Sequence, residues 1–231
     1  MILKTQNLGK KYYRKEALKN VNLELETGKV YGIFGPNGSG KTTLMKIISG
    51  LISQTSGEVL FQGEKIVTTS KKDIAYMPTS AYLYEGMTIR DAANYTDLLY
   101  GKFNQKKFSE YLEFFELNEK DKVKALSTGM LGRLKLILTL SRDAKFYMFD
   151  EPLNGIDPVS RGKIREALIE ATKEDRTFLI ASHMVYELES MVDEVIFVKS
   201  GDIVEKNEAD FLREEHKCSI EEYYKEVFSR D

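Results

Sequence analysis

The sequence lacks several features that mark other classes of protein. It has one cysteine, Cys218, so no disulfide can form within the chain, and this is compatible with a reducing compartment. Its formal net charge is −2, so no basic excess indicates binding to nucleic acid or to an anionic membrane surface. The N-terminus has no basic stretch followed by an apolar one, so we expect no signal peptide. Apolar runs such as Leu136–Leu138 are far shorter than a membrane span, so if the chain serves a membrane we expect it to do so from outside the bilayer.

The order of apolar patterns predicts an α/β fold. The 231 residues can bury a sizeable core, and we predict one domain over residues 1–231. Early strands follow one another directly, as in an antiparallel sheet, whereas later strands alternate with helices, as in a parallel sheet. The predicted strands are Ile2–Leu8, Ala17–Leu25, Lys29–Phe34, Glu58–Phe61, Ile74–Met77, Phe146–Phe149, Phe178–Ala181, Glu194–Val198 and Ile203–Glu205. The predicted helices are Gly40–Gly50, Ile89–Tyr100, Lys106–Phe115, Leu131–Ser141, Pro158–Thr172 and Val185–Met191.

Two segments differ from this alternation. Residues from about 80 to 124 contain helical patterns without a convincing strand, so we expect a helical lobe inserted into the core. Residues from about 207 to 231 have amphipathic patterns and are expected to form a C-terminal helical tail. A third feature has two interpretations, a partner-binding surface or the lobe's own core. It consists of Tyr82, Leu83, Tyr84 and Met87.

The most informative pattern is a glycine-rich loop of the form Gly-x-x-x-x-Gly-Lys-Thr. It follows the apolar run Val30–Phe34 and precedes the helical pattern Thr43–Ile48, which is the context that a phosphate-binding loop requires. Its backbone N–H groups would converge on phosphate oxygens, with Lys41 on the β- and γ-phosphates and the Thr42 hydroxyl on Mg²⁺. A chance glycine turn is the alternative, but the fixed positions and both flanking elements favour a nucleoside triphosphate site. The loop residues predicted to contact the nucleotide are Gly35, Pro36, Asn37, Gly38, Ser39, Gly40, Lys41, Thr42 and Thr43.

A second chemical element lies at the end of the predicted strand Phe146–Phe149. Asp150 and Glu151 follow this strand, and ligands of such sheets bind at the carboxyl ends of the strands. Asp150 would hold Mg²⁺ directly or through water, and Glu151 would act as general base toward the γ-phosphate. The alternative is that both acids merely end the strand before a turn at Pro152.

In their order and spacing, the motifs resemble those of the ATP-binding subunit of an ABC transporter over nearly the whole chain. Four further segments carry the resemblance. They are Leu126-Ser127-Thr128-Gly129-Met130 at the family's signature, Leu153–Pro158 at its D-loop, Ser182-His183 at its switch histidine and Tyr12 at its adenine-stacking ring. The resemblance implies a P-loop NTPase core, in which a mostly parallel sheet is flanked by helices. It also implies an N-terminal antiparallel β subdomain and the inserted helical lobe.

The resemblance implies roles for these segments. Ser127 and the Gly129 N–H would form an anion-binding tip that completes the ATP site of a second chain, in a homodimer or heterodimer. His183 would contact the γ-phosphate and hold the carboxylate that directs water, Asp157 would border the nucleotide, and Tyr12 would stack on adenine. Each has a plainer alternative: a helix cap for Ser127, a polar turn for His183 and ordinary packing for Tyr12.

The resemblance further implies ATP and Mg²⁺ as ligands, an integral membrane transport subunit as partner, and a place at the cytoplasmic face of the membrane. Nucleic acid is not an expected partner. Thr79 departs from the pattern, because it stands where the family commonly has a glutamine that helps to ligate Mg²⁺, and it would need an intervening water. Thr128 and Met130 also depart from the family's signature motif. The altered signature is similar to those of ABC-2 exporters of drugs, bacteriocins or cell-envelope components.

These observations favour an ATP-hydrolysing subunit that powers transport, with export preferred, through a separate membrane subunit. A regulatory ABC subunit with weak hydrolysis is one alternative, because Thr79 and the signature are altered, although Glu151 and His183 are intact. A non-transport ABC ATPase is another. Such proteins normally have two cassettes or a long coiled-coil insertion, and this sequence has one cassette and no heptad run.

Overall fold

The computed structural model describes residues 1–229, whose strands form two sheets. In chain order the strands are β1 (Leu3–Tyr12), β2 (Lys15–Leu25), β3 (Val30–Phe34), β4 (Ser56–Phe61), β5 (Glu64–Lys65), β6 (Ile74–Met77), β7 (Phe146–Asp150), β8 (Thr177–Ser182), β9 (Glu194–Lys199) and β10 (Asp202–Glu208). The first sheet has the order β2-β1-β4-β5 and is antiparallel. The second has the order β10-β9-β3-β8-β7-β6 and is parallel except between β9 and β10. The predicted combination of an antiparallel and a mostly parallel sheet is confirmed.

The strand β1 continues four residues beyond its predicted end at Leu8. Its pairing with β2 extends as far as Tyr12, which lies opposite Lys15. Register shifts interrupt both of its ladders near Asn7, whose φ of 49° is left-handed. Such bulges break the strict alternation of side chains, so the sequence pattern ends before the strand does.

The second sheet brings three strand ends together. β3, β7 and β8 are buried along their whole lengths, because helices or other chain segments cover both faces of this sheet. Phe34 at the end of β3 pairs with Ser182 of β8, and Asp150 at the end of β7 pairs with Ala181 of β8. The loops that follow these strands therefore emerge side by side at one edge of the sheet.

Helices surround the sheets. They are α1 (Lys41–Ile48), α2 (Ile89–Tyr100), α3 (Gln105–Phe114), α4 (Thr128–Leu140), α5 (Pro158–Thr172), α6 (Val185–Leu188), α7 (Ala209–His216) and α8 (Ile220–Ser229). Short 3₁₀ turns at Thr68–Lys72 and Val123–Ala125 were not predicted. Helix α4 begins three residues before its predicted start at Leu131, because the Ser127 hydroxyl caps it. No helix within residues 1–229 has both the length and the apolar character needed to cross a membrane.

The expected lobe contains α2 and α3, which pack against α4. Of the four residues predicted to form either a partner-binding surface or the core of the lobe, two fit each interpretation. Tyr84 and Tyr82 are exposed by 64% and 39%, whereas Leu83 and Met87 pack against the hydrophobic core. Because β10 extends to Glu208, the tail helices begin at residue 209. The boundaries of the domain, lobe and tail stay predictions.

The tail helix α8 covers one end of the core. Its rings Tyr223, Tyr224 and Phe228 lie around the buried ring of Phe197 on β9, with centroids 5.5–6.0 Å apart. Phe197 also contacts Phe34 at the end of β3, with centroids 6.4 Å apart. One aromatic cluster thus joins the C-terminal helix to the strand that leads into the glycine loop.

We predict that Phe197→Ala lowers the free energy of unfolding by about 3–5 kcal/mol, because it leaves a cavity among four rings. Urea denaturation followed by circular dichroism measures the loss. Tyr13→Ala is the control, since that side chain is fully exposed and its removal should change stability by less than about 0.5 kcal/mol. Equal stabilities of the two variants would contradict a structural role for the cluster.

Candidate nucleotide site

A tight glycine loop joins β3 to α1 at the shared sheet edge. Gly38 and Gly40 have φ values of 82° and 117°, in the region that favours glycine. A Cβ at Gly35 would lie 2.2 Å from the carbonyl oxygen of Val198, and one at Gly40 would lie 2.7 Å from that of Ala17. The loop therefore keeps its shape only with glycine at these positions, and its backbone passes directly into the N-terminus of α1.

Lys41 is nearly buried in this loop, with 5% of its side chain exposed. Its Nζ donates hydrogen bonds to the carbonyl oxygens of Gly35 at 2.6 Å and Pro36 at 3.3 Å, and lies 3.6 Å from Glu151 Oε1. Burial lowers the pKa of Lys41, whereas the Glu151 carboxylate acts in the opposite direction. Ser39 Oγ is buried and has no hydrogen-bond partner within residues 1–229. The loop therefore holds a cation and an unpaired hydroxyl, both suited to phosphate oxygens.

Asp150 is fully buried where β7 ends, and three side chains contact it. Its Oδ1 accepts a hydrogen bond from Thr42 Oγ1 at 3.0 Å, and its Oδ2 accepts one from the Tyr76 hydroxyl at 3.3 Å. Burial, assisted by Asp150, raises the pKa of Tyr76, so this phenol stays a donor. Thr79 Oγ1 donates instead to the backbone carbonyl of Asp150 at 3.2 Å. Thr42 and Asp150 thus form a pair of oxygen groups, with Thr79 bound beside them.

Glu151 has a strained backbone and a carboxylate that is held on one side. Its φ of 53° is left-handed, a conformation that costs a residue with a side chain on the order of 1 kcal/mol or more. Glu151 Oε2 lies 2.8 Å from His183 Nδ1 and accepts from the His183 backbone N–H at 3.3 Å and from Ser182 Oγ at 3.5 Å. Glu151 Oε1 has no hydrogen bond within residues 1–229. One oxygen is therefore fixed by hydrogen bonds, whereas the other is buried near Lys41 and has no hydrogen-bond partner among the same residues.

Lys41, Thr42, Asp150 and Glu151 line one cavity of about 470 Å³. Tyr12 stands at its wall with 42% of its surface exposed, and Tyr13 lies outside it. The structure thus gathers most of the predicted nucleotide residues, and adds Lys15, Lys46 and Asn154. Asn154 falls in the predicted D-loop segment, whereas no local pattern distinguishes the two lysines from other surface lysines. The predicted residues that line the cavity are Tyr12, Asn37, Gly38, Ser39, Gly40, Lys41, Thr42, Thr43, Thr79, Asp150 and Glu151.

Six predicted residues do not line this cavity, namely Gly35, Pro36, His183, Ser127, Gly129 and Asp157. The carbonyl groups of Gly35 and Pro36 accept hydrogen bonds from Lys41, and His183 contacts Glu151 Oε2. The other three lie elsewhere. Ser127 is exposed and its Oγ accepts a hydrogen bond from Met130 N at 3.2 Å, which is the helix cap considered as the plainer alternative. Asp157 Oδ1 accepts from Ser160 N at 3.0 Å at the start of α5, and its bonds to Ser160 lower the pKa of Asp157. A Cβ at Gly129 would lie 3.6 Å from Asp157 Oδ2, so the starts of α4 and α5 are neighbours. They form a second, exposed surface of the same chain.

The residues present fit ATP with Mg²⁺. The glycine cradle, Lys41 and the unpaired Ser39 hydroxyl suit phosphate groups, and the Thr42 and Asp150 oxygens are the ligand type that Mg²⁺ prefers. A ring such as Tyr12 at the cavity wall suits a purine. His183 fixes Glu151 Oε2, and this sets the position of Glu151 Oε1 in the same carboxylate. Glu151 Oε1 can therefore orient a water molecule toward a terminal phosphate.

Comparisons with known proteins agree with this geometry. A family profile described as ABC transporter matches residues 18–154, more than half of the chain. The lantibiotic transport ATP-binding protein SrtF of Streptococcus pyogenes is 35% identical over 211 residues, covering 90% of this chain and 92% of the relative. The ABC transporter ATP-binding protein YtrB of Bacillus subtilis is 31% identical, covering 93% of this chain and 75% of the relative. The linearmycin resistance ATP-binding protein LnrL of the same organism is 30% identical, covering 88% of this chain and 68% of the relative.

Solved structures show the same fold. The structure of an ATP-binding subunit of an ABC transporter matches with a TM-score of 0.87 at 23% identity, covering 98% of this chain and 99% of that one. A dimeric ATP-binding cassette in a post-hydrolysis state, bound to ADP and Pi, matches with a TM-score of 0.81 at 24% identity, covering 90% and 98%. The predicted P-loop NTPase architecture is therefore confirmed. The chain belongs to the ABC transporter family, as one of its ATP-binding and ATP-hydrolysing subunits.

Proposed function

We propose that this chain hydrolyses Mg²⁺-ATP with Glu151 as the general base, in order to drive export through a separate integral membrane subunit. The observation that carries the proposal is the asymmetric environment of the Glu151 carboxylate. Its Oε2 is fixed by His183 and Ser182, while its Oε1 lies 3.6 Å from Lys41 Nζ at the nucleotide cavity and is free to accept a proton. A carboxylate that only ended a strand would not need such a partner.

Catalysis then consists mainly of positioning and charge neutralisation. Lys41 and the loop amides would hold the β- and γ-phosphates, and His183 would contact the γ-phosphate while it orients Glu151. Thr42 and Asp150 would hold Mg²⁺, which supplies further neutralisation of phosphate charge when bound. Glu151 Oε1 would orient the attacking water and take its proton.

The exposed tip at the start of α4 supports a site shared by two chains. Ser127 and Gly129 lie outside the chain's own cavity, so they would contact ATP only in a second chain arranged head to tail. Asp157, next to Gly129, would then border the same shared site. One structurally similar cassette is described as a dimer bound to ADP and Pi, which agrees with this arrangement.

A membrane partner would dock on an apolar groove beside the lobe. The groove has a volume of about 340 Å³, and its wall includes the exposed side chains Leu51, Tyr82 and Leu99. Docking there would place the chain at the cytoplasmic face of the membrane. The relatives described as lantibiotic transport and linearmycin resistance proteins support export of a drug-like or peptide-like compound. A docked membrane subunit would also make the chain a transporter component and not a free-standing ABC ATPase.

We expect Lys41→Ala to weaken ATP binding by about 2–3 kcal/mol, because the phosphates lose a charge-assisted contact in a buried site. Isothermal titration calorimetry measures the affinity. Lys106→Ala, which removes a lysine exposed by 87%, is the matched control and should bind ATP normally. Near-normal affinity of the Lys41 variant would exclude the proposed role.

Glu151→Gln should bind ATP normally but hydrolyse it about 10²-fold or more slowly, because an amide keeps the shape and cannot take a proton. Phosphate release with Mg²⁺ and ATP measures turnover, and the ATP-loaded dimer should accumulate. Hydrolysis at the wild-type rate would exclude Glu151 as the base. Very slow hydrolysis by the unmodified protein would favour a regulatory subunit.

Ser127→Arg tests the shared site. The variant should bind ATP as a monomer with unchanged affinity, yet introduced into Glu151→Gln protein it should abolish ATP-driven dimerisation, measured by light scattering. Ser109→Arg is the control, because Ser109 is an exposed residue of α3. A dimer that forms normally with Ser127→Arg on both chains would contradict the shared site.

A further inference from the structure

One buried cation is not used by the mechanism above. Lys135 lies in α4 within a run in which every residue from 134 to 140 is buried, and only 7% of its surface is exposed. It has no ion-pair partner among residues 1–229, and burial lowers the pKa of Lys135 to about 8, against the opposing effect of Asp150. A buried ammonium without a paired carboxylate destabilises a fold. Its presence therefore requires an explanation other than stability.

The Lys135 ammonium donates a hydrogen bond to the Thr79 carbonyl oxygen at 2.9 Å, which joins α4 to the loop after β6. Thr79 in turn donates through Oγ1 to the carbonyl oxygen of Asp150 at 3.2 Å. That carbonyl belongs to the peptide bond whose N–H, on Glu151, donates to the Ala181 carbonyl oxygen at 2.9 Å. The Asp150–Glu151 peptide is thus held at its oxygen by Thr79 and at its nitrogen by β8.

This peptide needs such support because it precedes a strained residue. Glu151 has a φ of 53°, and a free peptide would rotate to relieve that conformation. A cavity of about 190 Å³ lies beside it, lined by Thr79, Lys135, Glu151 and Asn154 among others. Packing is incomplete on this side, where the Thr79 hydroxyl donates to the peptide and Lys135 in turn holds Thr79 through its carbonyl oxygen.

We propose that Lys135 is a positioning residue for ATP hydrolysis, which acts through Thr79 to hold the Asp150–Glu151 peptide and thereby aims the Glu151 carboxylate at the attacking water. Lys135 touches neither water nor nucleotide in this role. The inference rests on the proposed role of Glu151 as general base. It assigns a function to Thr79 as well, since the short hydroxyl side chain reaches the backbone carbonyl of Asp150 and bonds to it.

Lys135→Met tests the proposal, because methionine fills similar space without the charge or the donor. We expect kcat to fall about 10-fold, since small displacements of a reacting group have effects of this order or more, while the KM for ATP stays within about 2-fold. The melting temperature should stay equal or rise, because a buried charge is removed. Lys106→Met, at an exposed lysine of the lobe, is the control and should change none of these quantities.

An unchanged kcat would overturn the proposal. So would a fall in kcat accompanied by a lower melting temperature and a higher KM, because those changes together indicate a role in folding alone. The Glu151→Gln variant distinguishes failure of the Lys135 positioning role from failure of the proposed role of Glu151 as general base. If it is inactive and Lys135→Met is fully active, only the positioning role fails, whereas an active Glu151→Gln variant removes the proposed mechanism itself.

A double-mutant cycle with Thr79→Val provides an independent test. Both residues act on one peptide bond, so the double variant should have a kcat no more than about 2-fold below that of the slower single variant. Independent roles would instead multiply the two losses. A multiplicative result would therefore contradict the proposed connection from Lys135 through Thr79 to Glu151.

Discussion

The site depends on the register of three neighbouring parallel strands. β8 lies between β3 and β7, with Ser182 beside Phe34 and Ala181 beside Asp150. This pairing brings the glycine loop, the two carboxylates and His183 to one edge of the sheet. A shift of a single residue in any pair would move every side chain to the opposite face. The buried apolar residues of these strands therefore determine where the chemistry can occur.

Short sequence patterns are sufficient to predict much of this arrangement. The glycine loop between an apolar strand and a helix, and the Asp150–Glu151 pair after another strand, were predicted because each motif is contained in a short segment. The extension of β1 to Tyr12 was missed, because a bulge interrupts its alternation. The contacts of Tyr76 and Lys135 could not be predicted, because their partners lie 74 and 56 residues away along the chain.

Several charged side chains are buried at this edge of the sheet. Lys41, Asp150 and Lys135 are all less than 10% exposed, and each is hydrogen-bonded to backbone or hydroxyl groups, while Lys41 also lies 3.6 Å from the Glu151 carboxylate. Such groups keep their interactions strong because little water screens them. The fold tolerates their cost through its large apolar core on both sides of the sheet.

The helix α4 has a consequence for how two subunits communicate. Its first turn is proposed to contact the partner's ATP. Lys135, eight residues after Ser127 and about 12 Å along the same helix, contacts Thr79, which bonds to the Asp150–Glu151 peptide of its own chain. If both proposed roles hold, ATP occupancy at one site would change the binding free energy at the other through this one helix. Such coupling is reciprocal in binding free energy, so the two ATP molecules of a dimer would bind cooperatively.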